Sequence, residues 1–512
     1  MMKVFKDPIH GSISLPKHCV DVIDTPEFQR LRNIKQLTAE TVYPGATHNR
    51  FAHCIGVCYL AGKVIEHLRN KQKELKITEE EVKYVQLAGL CHDLGHGPLS
   101  HKFEAVVNRL LPKGKKWEHE EASVLMVHHL NRENKKIGLT QVEVDFISDL
   151  ISGKPPKDEV VRYKRYQERR FLFQIVANKD NGIDVDKWDY FARDSHYLGL
   201  SNSFDLERII PFMRVCECVR EGVTTEEICY RDKLVLDLDA MFAVRWDLHY
   251  RAYQHRVVKL TESMYGDALY EYFTVDAKKT SPEFGRMEDV IKDMSIYRQI
   301  DDQIFGTIAR SKDNKAQDII ERIRKRELYE CIGEFMDADS KNVPGDDDIQ
   351  SKLKNIESLQ PYCSEDNLLI INHKYDYGMK EKNPLKHIFF YTKDNNKKGI
   401  LLEDEKMPPT LPAKIQLRDV RLYTRIPVPE EELPGIKETV SKTILPPVPE
   451  KQLTGIEGTG LETIVPDGTP NKSPSPPPSD ASNAPSRPEK SKGKRSPISQ
   501  DEAAGKKRKL DL

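Results

Sequence analysis

The chain has 512 residues, of which 38% are hydrophobic and 31% charged, a polar balance that suits a globular part joined to a disordered one. It shows no apolar run of about 18 residues, so no membrane span is expected, and the N-terminus lacks the apolar stretch of a secretory signal. The formal net charge of −1 hides a split, because residues 471–512 carry ten Lys or Arg against five Asp or Glu; a broadly basic nucleic-acid-binding body is excluded, and only the tail has that character. Nine cysteines, an odd number without a CxxC pair, argue for a reducing compartment and against a disulfide framework or a cysteine zinc site.

Residues 1 to about 425 read as one mostly helical unit. Val57, Leu60, Ala61, Val64 and Leu68 share one helical face. Thr78 and Glu81 form a capping box. It opens a helix on which Tyr84, Leu87, Ala88, Cys91 and Leu94 recur at helical spacing, ended by Gly95 and Gly97-Pro98. A later helix sets Lys187, Tyr190 and Asp194 on one face. Glu217 to Leu236 suggests a hairpin. A long helix is expected from about Leu238 to Tyr272, with Arg245, His249 and Tyr253 at i, i+4 and i+8. A second hairpin is expected within Leu368 to Leu402, with His387 to Thr392 as one strand.

Fifteen of the 31 prolines follow Arg425, so helices are expected to stop there. Beyond it lies a repeat of period 20. Val428-Pro429-Glu430 recurs as Val448-Pro449-Glu450, Gly435-Ile436 as Gly455-Ile456, and Thr443 to Pro446 as Thr463 to Pro466. Such short, proline-rich units are expected to form an extended linker or partner-binding segment. Residues 471–500, rich in Ser and Pro, are expected to be disordered. The clusters Lys490 to Arg495 and Lys506 to Lys509 read as a nuclear localisation signal for an import receptor, the blander reading being a solvated tail.

The chemistry concentrates between Cys91 and His101, where His92, Asp93, His96 and His101 fall at a helix end. Imidazole and carboxylate suit Zn, Fe, Mn or Mg. His53 lies upstream at the start of an apolar helix, and Asp186 downstream on another. Alone, His53 reads as a hydrogen-bonded core histidine and Asp186 as a surface charge; beside His92-Asp93 both become candidate ligands. The order His, His-Asp, Asp is the signature of the HD superfamily.

Longer segments make the resemblance specific. They are Asp7 to Gly11, Ile23 to Pro26, Phe28 to Arg32, Ile34 to Leu37, His48 to Phe51, Gly89 to Pro98, Asn181 to Asp194, Arg251 to His255, Asp376 to Met379 and Glu381 to Pro384. Over about residues 3 to 420 the chain resembles the sterile-alpha-motif and HD-domain deoxynucleoside triphosphate triphosphohydrolases, in a form lacking the sterile-alpha-motif domain.

The resemblance implies a mostly α HD-superfamily helical domain with a small β-hairpin, an α+β regulatory lobe and a disordered C-terminal tail. The boundaries read as 1–310 for the HD core, 311–425 for a truncated lobe, 426–470 for the repeat linker and 471–512 for the basic tail. It implies His53, His92, Asp93 and Asp186 as metal ligands, and His119, His101, His96, Arg50 and Glu104 as catalytic residues; Glu104 stands where the family has an aspartate. Arg50, Lys187, Tyr190 and Arg245 match the phosphate clamp, with His96 and His101 also at the substrate. Gln36, Leu37, Asp194, Tyr253 and Gln254 match a sugar pocket in which Leu37 and Tyr253 exclude a 2′-OH.

It further implies Mg bound with the nucleotide, activation by GTP or dGTP and a dNTP, and a homo-oligomer from dimer to tetramer. Lys3, Val4, Asp24, Gln29 and Arg32 match the guanine site; Val42, Arg208, Arg231, Lys233, His255 and Arg256 match the second activator site. Lys6 and Asp237 replace family asparagines, Leu401 replaces an expected arginine, and the family's C-terminal helical lobe reads as missing. Cys216 and Cys229 match redox-linked cysteines; two reduced structural thiols are the alternative. Two other functions compete: another HD-type phosphohydrolase, phosphodiesterase or 5′-nucleotidase, and a non-enzymatic scaffold binding single-stranded nucleic acid through the tail.

Overall fold

The computed structural model describes residues 2–154, 169–220, 222–274, 280–281, 283–311, 314–337, 343–408 and 416–444, all within the compact unit Met1–Pro447. The second repeat unit, the Ser/Pro stretch and both basic clusters lie outside these residues. In chain order, the elements that build the site begin with strands β1 (Lys3–Asp7) and β2 (Gly11–Leu15). Helices α1 (Arg50–Lys71), α2 (Glu79–Cys91), α3 (His101–Leu110), α4 (His119–Glu133), α5 (Gln141–Ser152) and α6 (Val185–Leu198) follow. Then come strands β3 (Met213–Arg220) and β4 (Val223–Arg231) and helices α7 (Val235–Leu248) and α8 (Arg256–Tyr272). Strands β5 (Glu330–Asp337), β6 (Leu368–Asp376), β7 (Phe389–Tyr391), β8 (Ile400–Leu401) and β9 (Gln416–Thr424) precede helix α9 (Leu433–Ile444).

Helix α1 is the axis. Asn49 caps it by accepting the Ala52 N–H at 3.1 Å, and residues on every side of it are buried, as in a helix enclosed by others. The capping box at Thr78 and Glu81 starts α2 as the sequence predicts, and a second box at Thr140 and Glu143 starts α5. Two close approaches depend on glycine. A Cβ on Gly89 would sit 3.2 Å from the Val57 carbonyl of α1, and one on Gly56 only 1.9 Å from the Asp189 carboxylate of α6. The second approach seats α6 against α1 beside His53. Among the described residues no helix is long and apolar enough to cross a membrane.

The first expected hairpin is present as β3 and β4, paired from Met213↔Tyr230 to Arg220↔Val223. The second is present at its C-terminal end, where β7 pairs antiparallel with β8, Ile400↔Phe390 and Leu401↔Phe389. Strand β7 also pairs in parallel with β4, whereas β6 pairs with β9 in a sheet ordered β5-β9-β6. Each segment follows its apolar side chains: Leu368 of β6 joins the core of the lobe, while Phe389 and Tyr391 bury beside Cys216, Cys218 and Cys229.

The single helix expected from Leu238 to Tyr272 is also two. A π-helical turn, His249–Tyr253, separates α7 from α8, with the Gln254 N–H bonded to the His249 carbonyl at 2.9 Å. The extra residue re-aims the side chains that follow, as such turns do at functional sites.

Helices do not stop at Arg425. Residues of the first repeat unit form α9, with Pro434 in its first turn, where proline is tolerated. Ile436, Val440 and Ile444 lie at i, i+4 and i+8 and are buried in the lobe core. Val440 packs over Gly333 of β5, where a Cβ would meet it at 2.9 Å.

Candidate active site

His53, one turn into α1, His92 and Asp93, just past the end of α2, and Asp186, in the first turn of α6, converge. His53 Nε2 lies 3.0 Å from Asp186 Oδ1 and 3.6 Å from Asp93 Oδ2. His92 Nε2 lies 3.3 Å from Asp186 Oδ1 and 3.4 Å from Asp93 Oδ1. Donor atoms about 3.4 Å apart are the edges of a tetrahedron around an ion with ligand distances of about 2.1 Å. Each imidazole's other nitrogen is engaged. His92 Nδ1–H donates to the Gly89 carbonyl at 2.9 Å, and His53 Nδ1–H to Asp189 Oδ2 at 2.7 Å. Both therefore turn an Nε2 lone pair inward, and His92 Nε2 is buried without a hydrogen bond of good geometry. Burial disfavours charge on His53, yet hydrogen bonds to Asp186 and Asp189 and the charge of Asp93 favour its protonated form and raise its pKa, so an ion bound there would take the place of the Nε2 proton. The pocket thus attracts positive charge. His53, His92 and Asp93 offer ligand atoms close enough to share one ion, with Asp186 beside both histidines, and this donor set fits a divalent cation.

Beside this quartet lies a histidine group. The rings of His96 and His119 stack at 4.1 Å, and His101 meets both edge-on at 5.0 and 5.1 Å. Their donor atoms also lie close enough to share an ion, but stacked rings direct their in-plane lone pairs side by side rather than toward one point. Glu104, one turn into α3, accepts from His119 Nδ1 at 2.7 Å, which leaves Nε2 to the cavity. Burial and the Arg50 charge hold His96 well below its ordinary pKa, so it faces the site neutral. The longer arm of Glu104 therefore reaches its histidine.

Two adjoining cavities, of about 260 and 440 Å³, share Gln36, Arg50, His101, Asp186 and Tyr190 as wall residues. The smaller holds the quartet's open side and Lys187; the larger adds Leu37, Asp194, Arg245, Tyr253 and Gln254. The predicted phosphate and sugar residues thus surround one continuous hollow. Arg50 bridges Asp93 and Ser100, Lys187 meets Asp184 at 2.7 Å, and Arg245 binds the Asp376 carbonyl. Tyr253 O–H donates to Asp194 Oδ2 at 2.5 Å, while His48 holds Oδ1 at 2.6 Å. The amide oxygens of Gln36 and Gln254 are buried with no partner, acceptors that await donors such as a sugar hydroxyl.

Several residues here escaped the sequence reading. Asp189 is fully buried and binds His53, His10 and Arg193 together. Asp184 caps α6 through the Lys187 N–H and grips its ammonium. His249 lines the larger cavity edge-on to Tyr253 at 4.9 Å. Proximity to Asp186 in sequence marked the two aspartates, and a shared helical face with Arg245 and Tyr253 marked His249, though the sequence reading assigns none of them to the site.

The expected activator residues are gathered unevenly. Lys3 lies 3.4 Å from Asp24, Gln29 reaches the Ile23 carbonyl and Arg32 reaches Gln29, beside an exposed Val4. In the second set Arg208 pairs with Asp237, Arg231 with Asp232, and Lys233 lies over Phe212. Among the described residues Val42, His255 and Arg256 share no hydrogen bond or ion pair with them; His255 caps α8 instead. Cys216 and Cys229 sit on paired strands, and the Cys229 thiol meets both Cys218, at 3.3 Å, and Cys216.

Residues 50–194 match the HD domain family, and with the quartet in place the fold and site define an HD-domain protein. The protein named deoxynucleoside triphosphate triphosphohydrolase SAMHD1 in Homo sapiens is 42% identical over 448 residues, which cover 83% of this chain and 70% of the human one. Its Gallus gallus namesake is 40% identical over 451 residues, 83% of this chain and 72% of its own. A Dictyostelium discoideum homologue is 35% identical over 427 residues, 83% and 77%. The chain belongs to the SAMHD1 family.

Proposed function

We propose that this chain is a dNTP triphosphohydrolase that cleaves dNTPs to deoxynucleoside and inorganic triphosphate. A Zn, Fe or Mn ion would be held by His53, His92, Asp93 and Asp186, with Mg accompanying the nucleotide. The observation that carries the reading is the shared hollow, in which a metal-type quartet, a cationic wall and a sugar-sized polar pocket meet. A divalent cation there supplies Lewis acidity and a water of lowered pKa. Arg50, Lys187, Tyr190 and Arg245 orient the phosphates. His119, supported by Glu104, carries the proton that the departing 5′-oxygen needs. Leu37 and Tyr253 close the space a 2′-OH would occupy. Purified protein with Mn or Mg is expected to release triphosphate from dGTP and dATP; activity confined to cyclic or monophosphate nucleotides would overturn this reading, as would unchanged turnover in His92→Ala.

The patch of Lys3, Asp24, Gln29 and Arg32 supports activation by GTP or dGTP together with a dNTP, and assembly from dimer to tetramer. Sizing and turnover with and without GTP test both, and GTP-independent values refute them. The same activity would lower dNTP pools and restrict viral reverse transcription, checked by measuring pools in cells that express the chain. The basic clusters support nuclear import and contact with single-stranded nucleic acid; deleting them tests both.

A further inference from the structure

Two loops meet over the active site. One, Lys35 to Leu37, carries Gln36 and Leu37 into the larger cavity; the other, Leu99 and Ser100, leads directly into His101 and α3. The second loop is strained. Leu99 has φ +63° and Ser100 φ +51°, a left-handed region costly for residues that carry a Cβ. Such backbone persists where its surroundings over-determine it.

Asp302 supplies that constraint. Its Oδ1 accepts the Leu99 N–H at 3.2 Å and its Oδ2 accepts the Lys35 N–H at 2.8 Å. Its own N–H donates to the Asn33 carbonyl at 3.1 Å. Ser100 completes the tie: its hydroxyl donates to the Lys35 carbonyl at 2.9 Å and accepts from Arg50 Nε at 2.8 Å. One carboxylate thus joins the loop beside the sugar pocket to the loop beside the histidine group, and Ser100 connects both to the arginine that meets Asp93. Burial pushes the Asp302 carboxyl up to about 6, which leaves both oxygens as acceptors at neutral pH.

We propose that Asp302 is a positioning residue of the hydrolase, fixing Gln36 and His101 in one register with the metal quartet through the strained Leu99–Ser100 turn. The proposal rests on the hydrolase reading above. Asp302 touches no reacting group, and its effect passes through the two amides it holds.

The test is Asp302→Asn in the full chain, which keeps the size but turns one acceptor into a donor facing an N–H. Turnover is expected to fall about tenfold or more with KM within about threefold, since small misplacements near the chemistry cost rate. Bound metal per chain stays at the parent value. Hydrogen exchange at the Leu99 and Lys35 amides quickens, while amides in α1 and α6 do not change. A folded variant with kcat within about twofold of the parent, or with kcat and bound metal lost together, overturns the proposal. If Asp302→Asn does not fold, Asp302→Glu, which keeps two acceptors on a longer arm, is expected to show the same kcat-selective loss to a smaller degree, under the same criteria. If the parent itself releases no triphosphate, the functional reading fails; the exchange at Leu99 and Lys35 then decides alone whether Asp302 holds the two loops.

Discussion

Replacing Asp189 by Asn separates what holds His53 in place from what binds the metal. The parent carboxylate is fully buried and makes four hydrogen bonds: to His10 at 2.7 Å, to His53 at 2.7 Å, and to Arg193 at 2.8 and 2.9 Å. Burial alone would raise its pKa, yet Arg193, His10 and His53 hold it well below the ordinary value. Asn keeps the shape but removes the charge and presents a donor amide to Arg193 or to His53. Leaving one partner of a buried ion pair uncompensated costs about 3–5 kcal/mol, a large part of an ordinary stability of about 5–15 kcal/mol. Arg193 keeps Asp7 at 2.9 Å, which places the loss toward the lower end. At the metal, losing the partner that fixes a histidine's tautomer costs about 10–100-fold in affinity, or about 1.4–2.7 kcal/mol. A metal-binding titration and a thermal melt on the same preparation read the two effects separately. The sign with pH follows from the depressed native pKa: the stability gap between parent and variant is full above the unfolded carboxylate value of about 4 and shrinks as pH falls through the lower native value. A metal affinity within about threefold of the parent would refute the orienting role, whatever the melt shows.

Three further outcomes are expected. His119→Ala should lower kcat by about 10²–10⁴, and Glu104→Gln by less, both with the parent's metal content; a Glu104→Gln rate equal to the parent's would remove Glu104 from the mechanism. Leu37→Ala should open the sugar pocket and shrink the preference for dGTP over GTP as a substrate by about tenfold, read from competing hydrolysis; an unchanged ratio would show that the leucine does not exclude the 2′-OH. Chelation should abolish triphosphate release and Mn should restore it, with helix content by circular dichroism unchanged, because α1, α2 and α6 pack through apolar cores that need no ion; hydrolysis that survives chelation would remove the quartet from the chemistry.

The quartet was legible because two of its members are adjacent in sequence and the others head recognisable helices. Capping boxes were legible for a similar reason, since Thr78 and Glu81 satisfy each other locally. Asp189 was not. Three residues beyond Asp186 on a helix, it reads as a solvated charge, and only the tertiary approach of His10, His53 and Gly56 makes it the centre of a buried network. The π-helical turn was hidden because Arg245, His249 and Tyr253 already fit an α-helical face. Proline content misled at the C-terminus, since Pro434 sits where a helix can begin and the burial of Ile436, Val440 and Ile444 then decides the conformation. Strand β7 was legible from its apolar run and pairs locally with β8, whereas its parallel pairing with β4, far earlier in the chain, leaves no local mark in the sequence.

The nucleotide pocket is not a property of the HD segment alone. The family match ends at residue 194, yet Arg245 and Gln254 line the hollow and both are held by the C-terminal lobe. At the end of β6, Asp376 binds Arg245 through its carbonyl and, at 3.3 Å, through Oδ1. The same Oδ1 accepts the Gly378 N–H at 2.6 Å. Gly378 has φ +99°, which only glycine adopts readily, and an added Cβ would lie 3.4 Å from Arg245 Nε. From β9, Arg421 donates to the Gln254 carbonyl at 2.8 Å while its other nitrogens meet Glu334 and Asp419. Two arginines thus link the three-stranded sheet to the far wall of the pocket. Arg245 is held by both the carbonyl and the carboxylate of Asp376, so a phosphate that recruited it would compete with a neutral and a charged acceptor together.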